Sequence, residues 1–501
     1  MRVAARCLLL LATATLLGGG GPASLGAQEL PASLKRQVDQ WYRSARRAAP
    51  GSWGIAIADQ SGQILWSANP DIALIPASAV KLLTTGYARS VVGAEARLAT
   101  RVIGAGAVDS SGEWAGQWAL EVNGDPSLES PDGRGPRLQD LADQLANAGI
   151  RRLRGPFSVV AGDGSAPEAI YPSSWRPANW GTLYAPLVGA LTVHENIVRI
   201  SVKPGTKAGR RAVLAGTSPA GIGALVTIHA TTASSGRGRL YVRRMADGGY
   251  LVTGAIGIRA GIRTLTAVAG DTKAVLAAAW ARSLEQAGIE WDRAPAPMAE
   301  LADTSRVLAQ VESAPFDSLA LEINRRSHNL GAELLLRWAG GTERGGALLT
   351  EHVQQVAGVA GGVRLVDGSG MSHDDRVTPA TFIYYMANLQ HTPGGRNFPY
   401  LLPANGQGTL ARLASGLPDQ GVVRAKTGTL AGVSTLVGYL GRRDGVFLVS
   451  LMYNGPRSRT AKRHQWSAFR LLGAGGASIP AEENMEMVEP VTELGGEATT
   501  P

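Results

Sequence analysis

This 501-residue chain has one cysteine, six phenylalanines and seven histidines, and each shortage excludes something. A lone Cys7 forms no internal disulfide and supplies no Cys-ligated zinc site, so a disulfide scaffold or zinc ribbon is ruled out. Aromatic residues make up 6% of the chain, which leaves Ala, Val and Leu to fill much of any core. Beyond a short apolar run near the start, nothing approaches the roughly 18 consecutive apolar residues of a membrane-spanning helix. Two catalytic strings are also missing. Without G-x-S-x-G there is no α/β-hydrolase elbow, and without H-E-x-x-H there is no zinc-peptidase helix.

A hydrophobic content of 45% with 18% charged residues belongs to folded protein, and the length allows roughly three domains. Arg2 and Arg6 precede the apolar run Leu8 to Leu17 and then small residues, the layout of a secretory signal cleaved near Gly26 or Ala27. Cys7 lies inside it, so the exported chain is expected to hold no cysteine and fits a bacterial envelope, periplasmic or otherwise extracytoplasmic. The net charge is +9, but two arginines sit in the leader and six glutamates in the last 25 residues, which leaves a body of +13. Such a body suits an anionic lipid surface or the cell wall, hence peripheral association with either; export argues against nucleic acid. The acidic tail, 476–501, has no apolar periodicity and reads as disordered.

Between these ends the texture changes twice. Ala32 to Ala48 has helical spacing, Gly54 to Asp59 and Ile64 to Ser67 read as a hairpin, and Val80 to Ala88 reads as a helix. Short strands dominate from about 97 to 300, including Phe157 to Ala161, Ile197 to Val202 and Ala224 to Ala230. Long helical patterns return from about 306, followed by strands at Gly421 to Lys426, Gly432 to Leu440 and Gly445 to Tyr453. The expected fold is therefore multidomain α/β. Its five-stranded antiparallel sheet joins the N-terminal hairpin to three C-terminal strands, is flanked by helices, and is interrupted by a β-rich insert.

Lysine is scarce, at Lys35, Lys81, Lys203, Lys207, Lys273, Lys426 and Lys462. Ser78-Ala79-Val80-Lys81 is the chain's only S-x-x-K, and Lys426-Thr427-Gly428 its only K-T-G. With Ser78 opening a helix, Lys81 lies one turn on and on the same face, so its amine reaches the hydroxyl. Burial beside another cation would ease its deprotonation and make it a base. K-T-G on a strand offers Lys426 and Thr427 to a carboxylate, with Gly428 clearing space for a substrate along the edge. Ser327-His328-Asn329, between two expected helices, supplies a third polar element in the right order. Taken singly, these strings also fit an N-cap serine with a solvated lysine, and a strand-end lysine before a turn.

In conjunction they resemble the D-alanyl-D-alanine carboxypeptidase/endopeptidase family of penicillin-binding proteins, the PBP4-like (peptidase S13) group. The 246 residues from Lys81 to Ser327 match the long insertion of that family. So do Asp367-Gly368-Ser369-Gly370-Met371-Ser372, Arg376-Val377-Thr378-Pro379, Asn123-Gly124-Asp125-Pro126 and Leu191-Thr192-Val193-His194-Glu195-Asn196. The resemblance covers about 30–475. It implies a division into a signal segment (1–27), a catalytic unit (28–88 with 306–475), one insert domain (89–190 with 265–305), a second (191–264) and the tail.

The resemblance also implies roles. Ser78 attacks the scissile D-Ala carbonyl to form an acyl-enzyme, Lys81 takes its proton, Ser327 relays a proton to the leaving amine, and Asn329 holds Lys81 and the substrate amide. Lys426 and Thr427 meet the terminal carboxylate beside Gly428, and the backbone N–H groups of Ser78 and Thr429 form an oxyanion hole. Peptidoglycan stem peptides are the implied substrate and β-lactams the implied inhibitors; no metal or cofactor is called for. Asp163 matches an insert aspartate that holds a distal amine, although an Asp before Gly also simply forms turns. His373 stands where the family commonly has Arg, which puts the usual contact to the diaminopimelate side chain in doubt. A β-lactamase or esterase on the same fold, or a non-hydrolytic wall-binding scaffold, remain the alternatives.

Overall fold

The computed structural model describes residues 29–154, 157–292, 305–413, 417, 421–475 and 479. The expected signal segment and, apart from Ile479, the acidic tail lie outside them. Among the described residues no helix is long and apolar enough to cross a membrane.

The hairpin Ser52–Ala58 and Ile64–Ala68 turns where Asp59 Oδ1 accepts from the N–H groups of Ser61 (2.9 Å) and Gln63 (3.0 Å). It completes a five-stranded antiparallel sheet ordered Val423–Leu430, Val433–Arg442, Gly445–Asn454, Ser52–Ala58, Ile64–Ala68. The expected joining of hairpin and C-terminal strands is thus present. Strand alternation sorts side chains between two cores. Trp53, Ile55 and Ile57 face one side with Val449, Leu451 and Tyr453, beneath helices Ala32–Ala48 and Ser458–Leu471. Ala56 and Ala58 face the other with Leu448 and Met452, against helices Val80–Val92, Asn329–Gly340, Gly345–Ala357 and Pro379–Leu389. Small residues on that side let a helix close in: a Cβ on Gly54 would sit 2.8 Å from Pro379 and 2.9 Å from Ile72.

Among the described residues the insert holds three further sheets. A six-stranded one is built on Ala99–Val108 and Glu113–Val122 and covered by helices Leu138–Asn147 and Thr272–Gln286. A three-stranded one is ordered Arg263–Val268, Ile197–Lys203, Val213–Ser218, and a four-stranded one centres on Tyr250–Gly257. Their buried side chains form one continuous core, from Val102 and Trp118 through Ile200 and Val252 to Trp280.

Three expected boundaries cut through hydrogen-bonded structure. The break at 88/89 falls inside helix Val80–Val92. The break at 264/265 splits Arg263–Val268, which pairs along its whole length with Ile197–Lys203. Arg306–Glu312, expected in the catalytic unit, pairs instead with Ala99–Val108 of the insert. In each case a ladder or helix ran past the change in composition used to place the break.

Candidate active site

Ser78 sits in a single 3₁₀ turn, Ala77–Ala79, that runs directly into helix Val80–Val92. Ala77 has φ +49, the left-handed region an L-residue occupies only under constraint, and both flanking alanines are fully buried. The turn and the next helical turn together place Lys81 Nζ 3.1 Å from Ser78 Oγ. The same amine donates to Asn329 Oδ1 at 2.7 Å and to the Ser369 carbonyl at 2.5 Å. Lys81 has no exposure, and burial pulls its pKa down to about 8 against the opposing pull of the Asp367, Glu333 and Asp375 carboxyls. A general base is most effective near that range.

Helix Phe316–Arg326 ends where Ser327 turns left-handed (φ +56), and helix Asn329–Gly340 starts two residues later. That corner points Ser327 Oγ at Lys426 Nζ, 2.9 Å away. Lys426 lies in the middle of Val423–Leu430 and is fully buried; burial, then the charges of Lys81 and Lys462, push its pKa well below the usual lysine range. Thr427 is 7% exposed, whereas Thr429, two residues along, is open to solvent. Gly428 also lies against the turn that carries Ser78. A Cβ there would lie 3.1 Å from Ala79 N and 3.2 Å from Ala77 Cβ, and closer still to the Pro76 carbonyl oxygen. What the missing side chain admits is the nucleophile's own turn.

A cleft of about 400 Å³ brings together Ser78, Ser327, Thr427 and Thr429 with Gly408, Thr409, Ala411, Arg412, Lys462 and Trp466. The last six were not singled out from the sequence as site residues; only the scarcity of lysine drew notice to Lys462, whose Nζ lies 5.2 Å from the centre of the Trp466 ring. Among the described residues no three His, Cys, Asp or Glu side chains are grouped to hold a metal ion.

Asp163 is not among the residues lining this cleft. Its Oδ1 accepts from Ser165 N (3.0 Å) and Oγ (2.5 Å), and its Oδ2 pairs with Arg337 at 3.2 Å. The carboxylate closes its own Asp-Gly turn. His373 is partly buried and lies near Arg176; burial first, then that charge, lower its pKa. The neighbouring Met371 is buried with Trp175 and Ala185 of the insert, and Leu430 packs against them.

The insert also grips the Ser327–Asn329 corner. The Tyr184 carbonyl accepts from Asn329 Nδ2 at 2.8 Å, which turns Oδ1 of the same amide toward Lys81. Glu195, 5% exposed, holds the Arg326 guanidinium through two bonds of 2.5 and 2.8 Å, and its Oε2 lies 3.7 Å from His328 Nε2. Burial lowers the His328 pKa to about 4, so the ring is neutral near pH 7. His194, Glu195 and Asn196 all have φ between +52 and +56. Asparagine and histidine are enriched in that conformation, whereas Glu195 between them is held there by its surroundings.

Comparison with known proteins gives the family. A D-alanyl-D-alanine carboxypeptidase of an Actinomadura species is 27% identical over 476 residues, covering 91% of this chain and 87% of that one. Carboxypeptidase DacB of Mycolicibacterium smegmatis is 28% identical over 445 residues, covering 83% and 79%. Among solved structures, penicillin binding protein 4 (dacB) of Haemophilus influenzae has a TM-score of 0.67 at 20% identity, covering 86% of this chain and 98% of that one. The same protein complexed with a β-lactam gives 0.65. The family model described as D-Ala-D-Ala carboxypeptidase 3 (S13) matches residues 34–473, and the chain belongs to that family.

Proposed function

We propose that this S13-family protein is a serine peptidase that cleaves D-Ala-D-Ala termini, and D-Ala-diaminopimelate cross-links, of peptidoglycan through an acyl-enzyme on Ser78. The observation that carries the reading is the buried Lys81 amine, within hydrogen-bond distance of Ser78 Oγ, Asn329 Oδ1 and the Ser369 carbonyl at once. A neutral amine so held takes the serine proton as Oγ attacks the carbonyl carbon. The backbone N–H groups of Ser78 and Thr429 would face the developing oxyanion, each worth about 3–4 kcal/mol in other hydrolases. Ser327, bonded to Lys426, then passes a proton to the leaving amine and is reprotonated by the Lys81 ammonium, while Lys426, Thr427 and Thr429 meet the substrate carboxylate. Water attacks the ester, and Lys81, neutral again, takes its proton and returns it to Ser78 Oγ as the ester breaks.

β-Lactams carry an amide and a carboxylate at comparable spacing and would acylate the same oxygen; the solved β-lactam complex of the Haemophilus relative supports this. The leader-like segment and the basic body support an exported enzyme that works at the cell wall. In this reading the catalytic unit is 29–95 with 313–475, bounded where the insert ladders end. Digestion of purified muropeptides tests the proposal: D-alanine release indicates carboxypeptidase action, and loss of cross-linked dimers indicates endopeptidase action. Penicillin turnover at many per second without either product would instead establish a β-lactamase. Equal labelling of wild type and Ser78→Ala by a fluorescent penicillin would refute the nucleophile.

A further inference from the structure

Three carboxyl groups beside Lys81 are packed out of solvent: Glu333 is 8% exposed, Asp367 2% and Asp375 fully buried. Each is bound to backbone. Glu333 Oε1 accepts from the N–H groups of Ser369 (2.9 Å) and Gly368 (3.2 Å). Asp367 Oδ1 accepts from Gly370 N (2.6 Å) and its Oδ2 from Ser372 N (2.7 Å), while Asp375 Oδ1 accepts from Val366 N (2.9 Å). The remaining Asp375 oxygen is buried and reached by no N–H or hydroxyl donor, and the Asp375 side chain is hydrogen-bonded to that of Asp367. Two carboxyls in one dry site do not both ionise. Asp367 already accepts from two N–H groups, so it is the ionised partner and Asp375 carries the shared proton.

The turn these groups hold is pressed against the nucleophile. The Gly368 carbonyl accepts from Thr84 Oγ1 at 2.8 Å, and the Ser369 carbonyl from Lys81 Nζ at 2.5 Å. Gly370, at φ +76, lies so close to the Ala77–Ser78 backbone that a Cβ would overlap it. We propose that Glu333, Asp367 and the protonated Asp375 are positioning residues, a clamp of two charges and one proton that fixes the 366–372 turn so that Ser369 steadies Lys81 beside Ser78.

The clamp rests on the reading of Ser78 and Lys81 as nucleophile and base. Its charge matters as well as its shape. Lys81 faces the buried Lys426, the neutral His328 and the polar Asn329 and Ser78, and burial disfavours its charged form. The carboxylates supply the opposing charge and keep the amine basic enough to accept a proton.

Three variants, read by the pH profile of acylation with a fluorescent penicillin and by thermal melting, test this. Burial raises the Glu333 pKa to about 7, so the group is charged above that pH; Glu333→Gln removes this charge, and the acid limb set by Lys81 near 8 should move down by about one pH unit. Asp375→Asn copies the protonated acid, donating to Asp367 and accepting from Val366, and should acylate at the wild-type rate. Asp367→Asn has one acceptor for two N–H groups and should lose about 100-fold in acylation, the scale of a small misplacement of reacting groups. Equal losses in the two aspartate variants overturn the clamp, as does an unmoved acid limb in folded Glu333→Gln. Labelling of Ser78→Ala at wild-type level overturns the nucleophile and the clamp together; loss of that label alongside symmetric aspartate effects overturns the clamp alone.

Discussion

Gly428→Ala adds one methyl at the closest approach between the K-T-G strand and the nucleophile turn. That methyl would lie 3.1 Å from Ala79 N and 3.2 Å from Ala77 Cβ, with the Pro76 carbonyl oxygen nearer still. These are backbone atoms and a buried alanine, so no flexible side chain can move aside. Strand or turn must retreat by about 1 Å to restore ordinary contact, and displacement on that scale costs about 100-fold in rate when it separates reacting groups. The overpacking should cost only about 1–3 kcal/mol of stability, because alanine is tolerated in the ladder opposite Thr435. The variant should therefore stay folded, with a slightly lower melting temperature, while acylation by a fluorescent penicillin and D-alanine release fall together by about two orders of magnitude. A folded Gly428→Ala that acylates at the wild-type rate would refute the argument that close backbone approach is what demands glycine here.

Other parts of the site give narrower expectations. Lys462 lies beside Arg412 in the cleft, so Lys462→Met should raise KM for a peptide with a free terminal carboxylate and leave its C-terminal amide unaffected; equal effects on both would exclude a carboxylate contact. Glu195→Ala releases Arg326 next to Ser327 and should slow acylation by about tenfold, equivalent to ~1.4 kcal/mol, and an unchanged rate would show that the insert does not position that corner. Burial lowers the His352 pKa to about 4, so its neutral form stabilises the fold above the unfolded value of 6.5, and that contribution is lost as pH falls through 6.5 toward 4. His352→Gln should then gain melting temperature relative to wild type as pH drops through that window, and parallel curves would contradict it.

Much of this site was legible because its chemistry is carried in short strings on regular elements. Ser78 and Lys81 are three residues apart at the start of a helix, a spacing that places both on one face wherever the helix packs. Lys426 was expected at a strand end and instead lies mid-strand, because Val423–Leu430 runs on past the glycine. The insert was less legible. Phe157–Ala161 was placed correctly, but Tyr250–Gly257, with Gly254 at φ +97, was missed. Ala224 to Ala230 read as one strand, yet Gly221 (φ +91) starts a 3₁₀ turn, Ile222–Leu225, and only Val226–Ile228 pairs. Glu195, Tyr184 and Glu333 act across long separations, through a carbonyl or a buried charge, and periodicity does not report such contacts.

The strand order also bears on when the chain becomes able to act. Ser52–Ala58 is an interior strand whose second neighbour, Gly445–Asn454, comes from the other end of the polypeptide. Such remote pairing forms late, whereas the insert hairpin of Ala99–Val108 and Glu113–Val122 is local and forms early. During synthesis the strand that abuts the serine's turn and carries Lys426 arrives more than three hundred residues after the serine. A partly made chain therefore holds a nucleophile without an assembled centre, and hydrolytic competence is deferred until that strand has been produced.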